Sequence, residues 1–141
     1  MRVLTFAPAQ AATEDEGGGV SVGGFPMTHC FVSEFPTEIT ITMVLVVCTL
    51  AGDEYSPEQY IIARSPDGER ASEMVFGWQW DDNPETPVKF RVFLQNLPLQ
   101  ITSAGVYTIG LYDSLDATAT DIEFPLPVNK YDPLTQGPGH F

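Results

Sequence analysis

The sequence predicts an all-β fold: a single antiparallel β-sandwich of about eight strands, immunoglobulin-like or jelly-roll-like, followed by a Pro/Gly-rich C-terminal tail. Apolar residues alternate with polar ones over short runs, and nowhere do they recur at i, i+3, i+4, i+7 over a helical length. The 12 Gly and 12 Pro are too many for a helical bundle and follow no collagen-like period. Charged residues are only 18% of the chain, and the acids gather in the gaps between the apolar runs, where turns are expected.

Residues 2–7 read as the first strand. The acid–glycine tract 14–19 is a turn into residues 20–25, so these two runs are expected to form an N-terminal hairpin. Residues 37–50 hold the strongest signal. One face carries Ile39, Ile41, Met43, Leu45 and Val47, while the other begins polar with Glu38, Thr40 and Thr42 and turns apolar at Val44, Val46 and Cys48. The second half of this strand must be covered on both sides, by the opposite sheet on one and by a loop, an arm or a second subunit on the other. Residues 59–64 and 71–80 flank Ser65-Pro66-Asp67-Gly68-Glu69, whose Pro and Gly placement is hairpin turn chemistry. The second arm puts Met74, Phe76, Trp78 and Trp80 on one face. Residues 81–87 form a loop rich in acids and prolines. Residues 88–95 are expected to send Val88, Phe90, Val92 and Leu94 inward and Lys89, Arg91, Phe93 and Gln95 outward. Residues 105–113 are another strand. Ile122, Phe124, Leu126 and Val128 alternate along a last one, expected at an edge or bulged because Pro125 and Pro127 cannot donate to a ladder.

A chain of 141 residues with 43% apolar content is the size of one ordinary domain and can bury a continuous core. We assign residues 1–128 to the sandwich domain and residues 129–141, with Pro133, Gly137, Pro138 and Gly139, to a tail or arm. The formal net charge of −13 repels polyanions, and the cations Arg2, Arg64, Arg70, Lys89, Arg91 and Lys130 form no basic run. Nucleic acid and anionic membranes are therefore excluded as expected partners, and cationic protein surfaces or divalent metal ions are favoured. Cys30 and Cys48 have apolar neighbours and read as packed free thiols, with one disulfide open if their segments face each other. Residues 1–12 imitate a signal peptide through Arg2, Ala9, Ala11 and Ala12, but the apolar stretch 3–7 falls short of the roughly 7–15 residues required. No run approaches the roughly 18 apolar residues of a membrane span. The expected location is cytoplasmic when made, and within a virion once assembled.

No catalytic constellation emerges. His29 and His140 are the only histidines, and neither cysteine nor serine has a local base or a nucleophile-elbow context. Gly17-Gly18-Gly19 lacks a following Lys-Ser/Thr and precedes a strand, so it is no phosphate loop. His29, Cys30 and Cys48 lack the paired spacing of a structural zinc site. The expectation is a non-enzymatic protein without a cofactor. Calcium is the weak alternative, because Asp81, Asp82, Glu85, Asp113 and Asp116, with Asp121 nearby, supply hard oxygen ligands in loops that resemble in kind those of calcium-binding C2-type domains. Phe76 and Trp78 read as core, while Trp80, at the strand end beside the acidic loop, is a partner contact. Lys89 and Arg91 share one strand face and read either as cross-strand partners of a carboxylate such as Glu73 or as an intersubunit contact. Tyr131 and Phe141 of the arm complete the predicted partner-binding residues.

The run Ser103-Ala104-Gly105-Val106-Tyr107-Thr108-Ile109 resembles the tyrosine corner of immunoglobulin-like domains, with Tyr107 as the corner residue and Ile109 where a cysteine would stand. The opening Met1-Arg2-Val3-Leu4-Thr5-Phe6-Ala7, the run Val22-Gly23-Gly24-Phe25 and the run from Gly105 to Tyr112 resemble a family of small uncharacterised β-sandwich proteins of actinobacteria and their phages. That resemblance spans most of the chain to Val128 and implies fold and source rather than an activity. The resulting expectation is a structural protein that binds neighbouring subunits, its own or those of a capsid or tail, as a capsid-decorating or tail-associated virion component. The alternative is a β-sandwich module for calcium, a glycan or a host protein.

Overall fold

The computed structural model describes residues 1–50, 57–80 and 85–133. Among them the chain is all-β, with ten strands in three sheets where about eight in one sandwich were expected, one of the sheets curling as a half-barrel. No helix of the described residues is long and apolar enough to cross a membrane.

The β-branched run between Glu38 and Thr49 favours a long strand, and β5 (Thr37–Leu50) occupies the whole of the expected span. It is the middle of a three-stranded antiparallel sheet, between β1 (Arg2–Ala9) and β8 (Val88–Ile101). The β1–β5 register slips between Val3 and Thr5. That bulge lets Val3 and Phe6, three residues apart, both pack against the core, and it leaves Leu4 44% exposed.

The expected N-terminal hairpin forms, but with a different first arm. Its strands are β2 (Ala11–Glu14) and β3 (Val20–Gly23), because β1 is already committed to β5. The turn closes by Asp15 N–H donating to Gly19 O at 2.8 Å, with Gly18 at φ 89° and the Ser21 hydroxyl donating to Asp15. Past β3, Met27 N–H donates to Pro8 O, so the returning chain lies along the free side of β1.

The third sheet has the order β4 (Cys30–Val32), β10 (Glu123–Lys130), β9 (Gly105–Tyr112), β6 (Glu58–Arg64), β7 (Arg70–Gly77). The β6–β7 hairpin turns at Ser65–Glu69 as expected, closed by Ser65 N–H to Glu69 O with Gly68 at φ 87°. The last strand is not at the sheet edge. β10 runs between β9 and β4, but β4 pairs in parallel only with Val128, Asn129 and Lys130. The stretch with Pro125 and Pro127 is bonded to β9 alone, so the missing N–H groups fall where no second neighbour needs them. Asn129 and Lys130, assigned to the tail, extend this strand, and Tyr131 N–H donates to Val32 O.

One core cluster draws on both larger sheets, with Ile41, Met43, Leu45, Val47, Leu97, Leu99 and Ile101 from one and Ile61, Tyr107, Ile109, Leu126 and Val128 from the other. Tyr107 is fully buried, and its hydroxyl donates to Ser103 O at 2.9 Å while accepting from Thr102 N–H and Ser103 N–H. Those bonds fix the β8–β9 corner by satisfying a phenol that burial would otherwise leave unpaired. The same corner requires a glycine: Gly105 has φ 141°, and a Cβ there would stand 2.5 Å from Pro66 Cγ.

Candidate interaction surface

The pairing of β8 with β5 decides which side chains reach water. Leu97, Leu99 and Ile101 oppose Ile41, Ile39 and Thr37, and the residues two apart from them toward the strand start, Gln95, Phe93, Arg91 and Lys89, share that inner face. This reverses the expected orientation of residues 88–95. Val88, Phe90, Val92 and Leu94 point outward with Leu50, Cys48, Val46 and Val44, and Phe93 points inward. The cause is the length of the strand: once β8 continues through Pro98 to Ile101, the phase of Leu97, Leu99 and Ile101 governs the whole of it.

The outer face of the three-stranded sheet therefore has two halves. At the end where β2 leaves β1 and approaches β5 and β8, Ala7, Ala9 and Val44 are buried. Toward the other end no described strand covers it. Val46, Cys48, Val92 and Leu94 are half-buried, and Phe90 and Leu50 are 60% and 61% exposed, with Val88 beside them at 39%. Of the double-sided burial expected for residues 44–50, the described residues supply it at Val44, while Leu50 stays 61% exposed. Cys30 and Cys48 are free thiols; Cys30 is buried, and burial pushes it up to about 11.

Next to the strip lies a cleft of about 340 Å³ lined by Gln79, Trp80, Thr86, Val88, Lys89, Phe90 and Arg91. It brings together the three predicted contacts Trp80, Lys89 and Arg91 and joins them to Val88 and Phe90. Trp80 is buried at 5% exposure and Lys89 at 9%, and the Arg91 guanidinium lies over the Phe93 ring, 5.3 Å from its centroid. Lys89 was expected to point outward; it sits on the inner side opposite Thr49, a place a lysine stem tolerates at a sheet end. Phe76, Trp78, Trp80 and Phe93 form one aromatic cluster, with Trp78 4.8 Å from Phe93 and 5.8 Å from both Phe76 and Trp80. Among the described residues, the indole nitrogens of Trp78 and Trp80 are buried without a hydrogen-bond partner.

The remaining predicted residues scatter. Asp81, Asp82 and Phe141 lie outside the described residues. Glu85, Asp113 and Asp116 are exposed, and Asp113 accepts from Gln59 Nε2 at 3.1 Å. Tyr112, which ends β9, and Gly77, which ends β7, oppose Tyr60 and Glu58 at the start of β6. Gly77 and Tyr112 therefore lie at the same end of the five-stranded sheet, two strand spacings or about 10 Å apart. No group of three or more His, Cys, Asp and Glu side chains among the described residues is arranged to hold a metal ion. Tyr131 is half-buried, and Arg70 rather than Lys89 or Arg91 pairs with Glu73, at 2.8 Å. Tyr60 is bonded to Glu58, which raises its phenol above the ordinary range. Sequence reasoning missed Leu50, Val88 and Phe90 as surface residues. The signal that could have found them is the odd-numbered phase of Leu97, Leu99 and Ile101.

No family model, curated protein or solved structure matches this chain.

Proposed function

We propose that the protein is a non-enzymatic structural subunit that binds neighbouring protein subunits through the bare half of its three-stranded sheet, in the manner of a capsid-decorating or tail-associated virion component. The observation that carries the reading is the contiguous apolar strip of Val46, Cys48, Leu50, Val88, Phe90, Val92 and Leu94 on one outer sheet face. Single exposed apolar residues are ordinary, but a row on two paired strands marks a place where protein is meant to sit. The adjoining cleft, with the exposed Phe90 and Arg91 on its lining, supplies an aromatic and an arginine, the residue types that anchor subunit contacts.

The test is the pair of substitutions Leu50→Glu and Phe90→Glu in the full chain, expressed in the cells that make it. Both positions are mostly exposed, so each variant is expected to fold and to keep its melting temperature within a few degrees. The expected result is loss of the variant from the purified assembly in which the wild-type chain is found. Equal recovery of wild type and variants would overturn the reading.

A further inference from the structure

We infer that the bare half of the outer face is covered by a second copy of this chain, packed face to face about a two-fold axis. The inference rests on the reading of that face as an interaction surface and names its occupant.

Charge selects the partner. With 19 acids against 6 bases, two copies repel one another over most of their surfaces. The outer positions from Thr40 to Leu50 of β5 and from Val88 to Pro98 of β8 carry no acid and no base, and the one charge β1 adds to that half is Arg2, opposite Cys48. A cationic partner would find nothing there to pair with, whereas a second copy meets the strip without setting acid against acid. Symmetry agrees, because two equal sheet faces stack in aligned packing and a two-fold contact is self-complementary by construction.

Area sets the strength. The segments Val44–Leu50 and Val88–Leu94 pair along their whole length. At about 3.4 Å per residue and 4.8 Å between strands, with β1 alongside, they offer roughly 350 Å² per copy. The two copies together bury about 700 Å², below the roughly 1,200–2,000 Å² of stable complexes, so the dimer is reversible and depends on concentration. Both partners carry −13, so added salt screens the repulsion around a neutral contact and strengthens it. Salt would weaken a contact held by opposite charges.

Sedimentation equilibrium of the full chain decides the matter, run up to millimolar concentration at low and high salt, with Phe90→Glu and the control Val75→Glu. Val75 is 56% exposed on β7, away from the strip. The expected result is a monomer–dimer equilibrium that tightens with salt, a dissociation constant raised about tenfold or more in Phe90→Glu, and no change in Val75→Glu. A wild-type chain that stays monomeric, a dimer insensitive to Phe90→Glu, or one weakened equally by Val75→Glu would each overturn the inference. If the wild type is monomeric yet Phe90→Glu is still lost from its native assembly, the second copy is ruled out and the interaction surface stands. If Phe90→Glu behaves as wild type in both experiments, both fall.

Discussion

The inner and outer faces of the three-stranded sheet are built from the same strands and from nearly the same residue types, yet they do different things. Inward, Ile41, Met43, Leu45, Val47, Leu97, Leu99 and Ile101 are sealed against the five-stranded sheet. Outward, Val46, Cys48, Val92, Leu94, Phe90 and Leu50 pass from half-buried to mostly exposed along a single ladder. Apolar character alone does not make a residue core. What separates the two faces is whether a second layer reaches them, and among the described residues β2 reaches only one end of the outer one.

Truncating a sealed position should show the difference most sharply. Leu97→Ala leaves a cavity between the sheets, and we expect a loss of about 2–5 kcal/mol in denaturant unfolding. The two thiols offer a second contrast. Burial favours the neutral thiol of Cys30, so the folded chain holds that proton to about pH 11, whereas the unfolded chain releases it in the ordinary thiol range near 8.5. The stability from this group is complete below that range and declines as pH rises toward 11, by up to about 2–3 kcal/mol. Urea unfolding from pH 8 to 11 measures the decline, and Cys30→Ser should flatten it. Thiol labelling of the native protein should modify Cys48 well before Cys30. Third, Tyr107→Phe removes a buried hydroxyl and leaves two backbone N–H groups and Ser103 O without it, for an expected loss of about 1–3 kcal/mol by the same unfolding measurement. Smallest of all, Phe90→Ser on the bare strip should change monomer stability by no more than about 0.5 kcal/mol. A large loss there would mean that the outer face is held by the chain itself.

Much of the fold was legible. The span of β5, the Ser65–Glu69 hairpin and the strand before Asp113 follow from alternation and turn chemistry, which act locally. The phase of β8 was not, because its first half alternates on the even positions and its second half on the odd ones, and Pro98 hides that they are one strand. Nor was the partner of β1, since Val20–Gly23 is nearer in sequence, whereas the ladder from Arg2–Cys48 to Ala9–Thr42 joins β1 to a strand about forty residues away. The parallel pairing of β4 with β10 joins segments about a hundred residues apart, beyond any local signal. The site suffered most from the phase of β8: Trp80, Lys89 and Arg91 fall together in one cleft, while the even-numbered phase sends Val88, Phe90, Val92 and Leu94 of the strip beside them to the interior and only the β5 half of the strip reads as a face that needs cover.

The contact between Gly105 and Pro66 reaches beyond this one sequence. It brings the turn of one hairpin against the corner of another, and the constraint falls on residue 105: at φ 141° a side chain there is strained whatever its neighbours, and its Cβ would also stand 2.5 Å from the Pro66 ring. Lineages descended from this chain, or libraries selected from it for folding, are expected to keep glycine at 105 even where Pro66 changes.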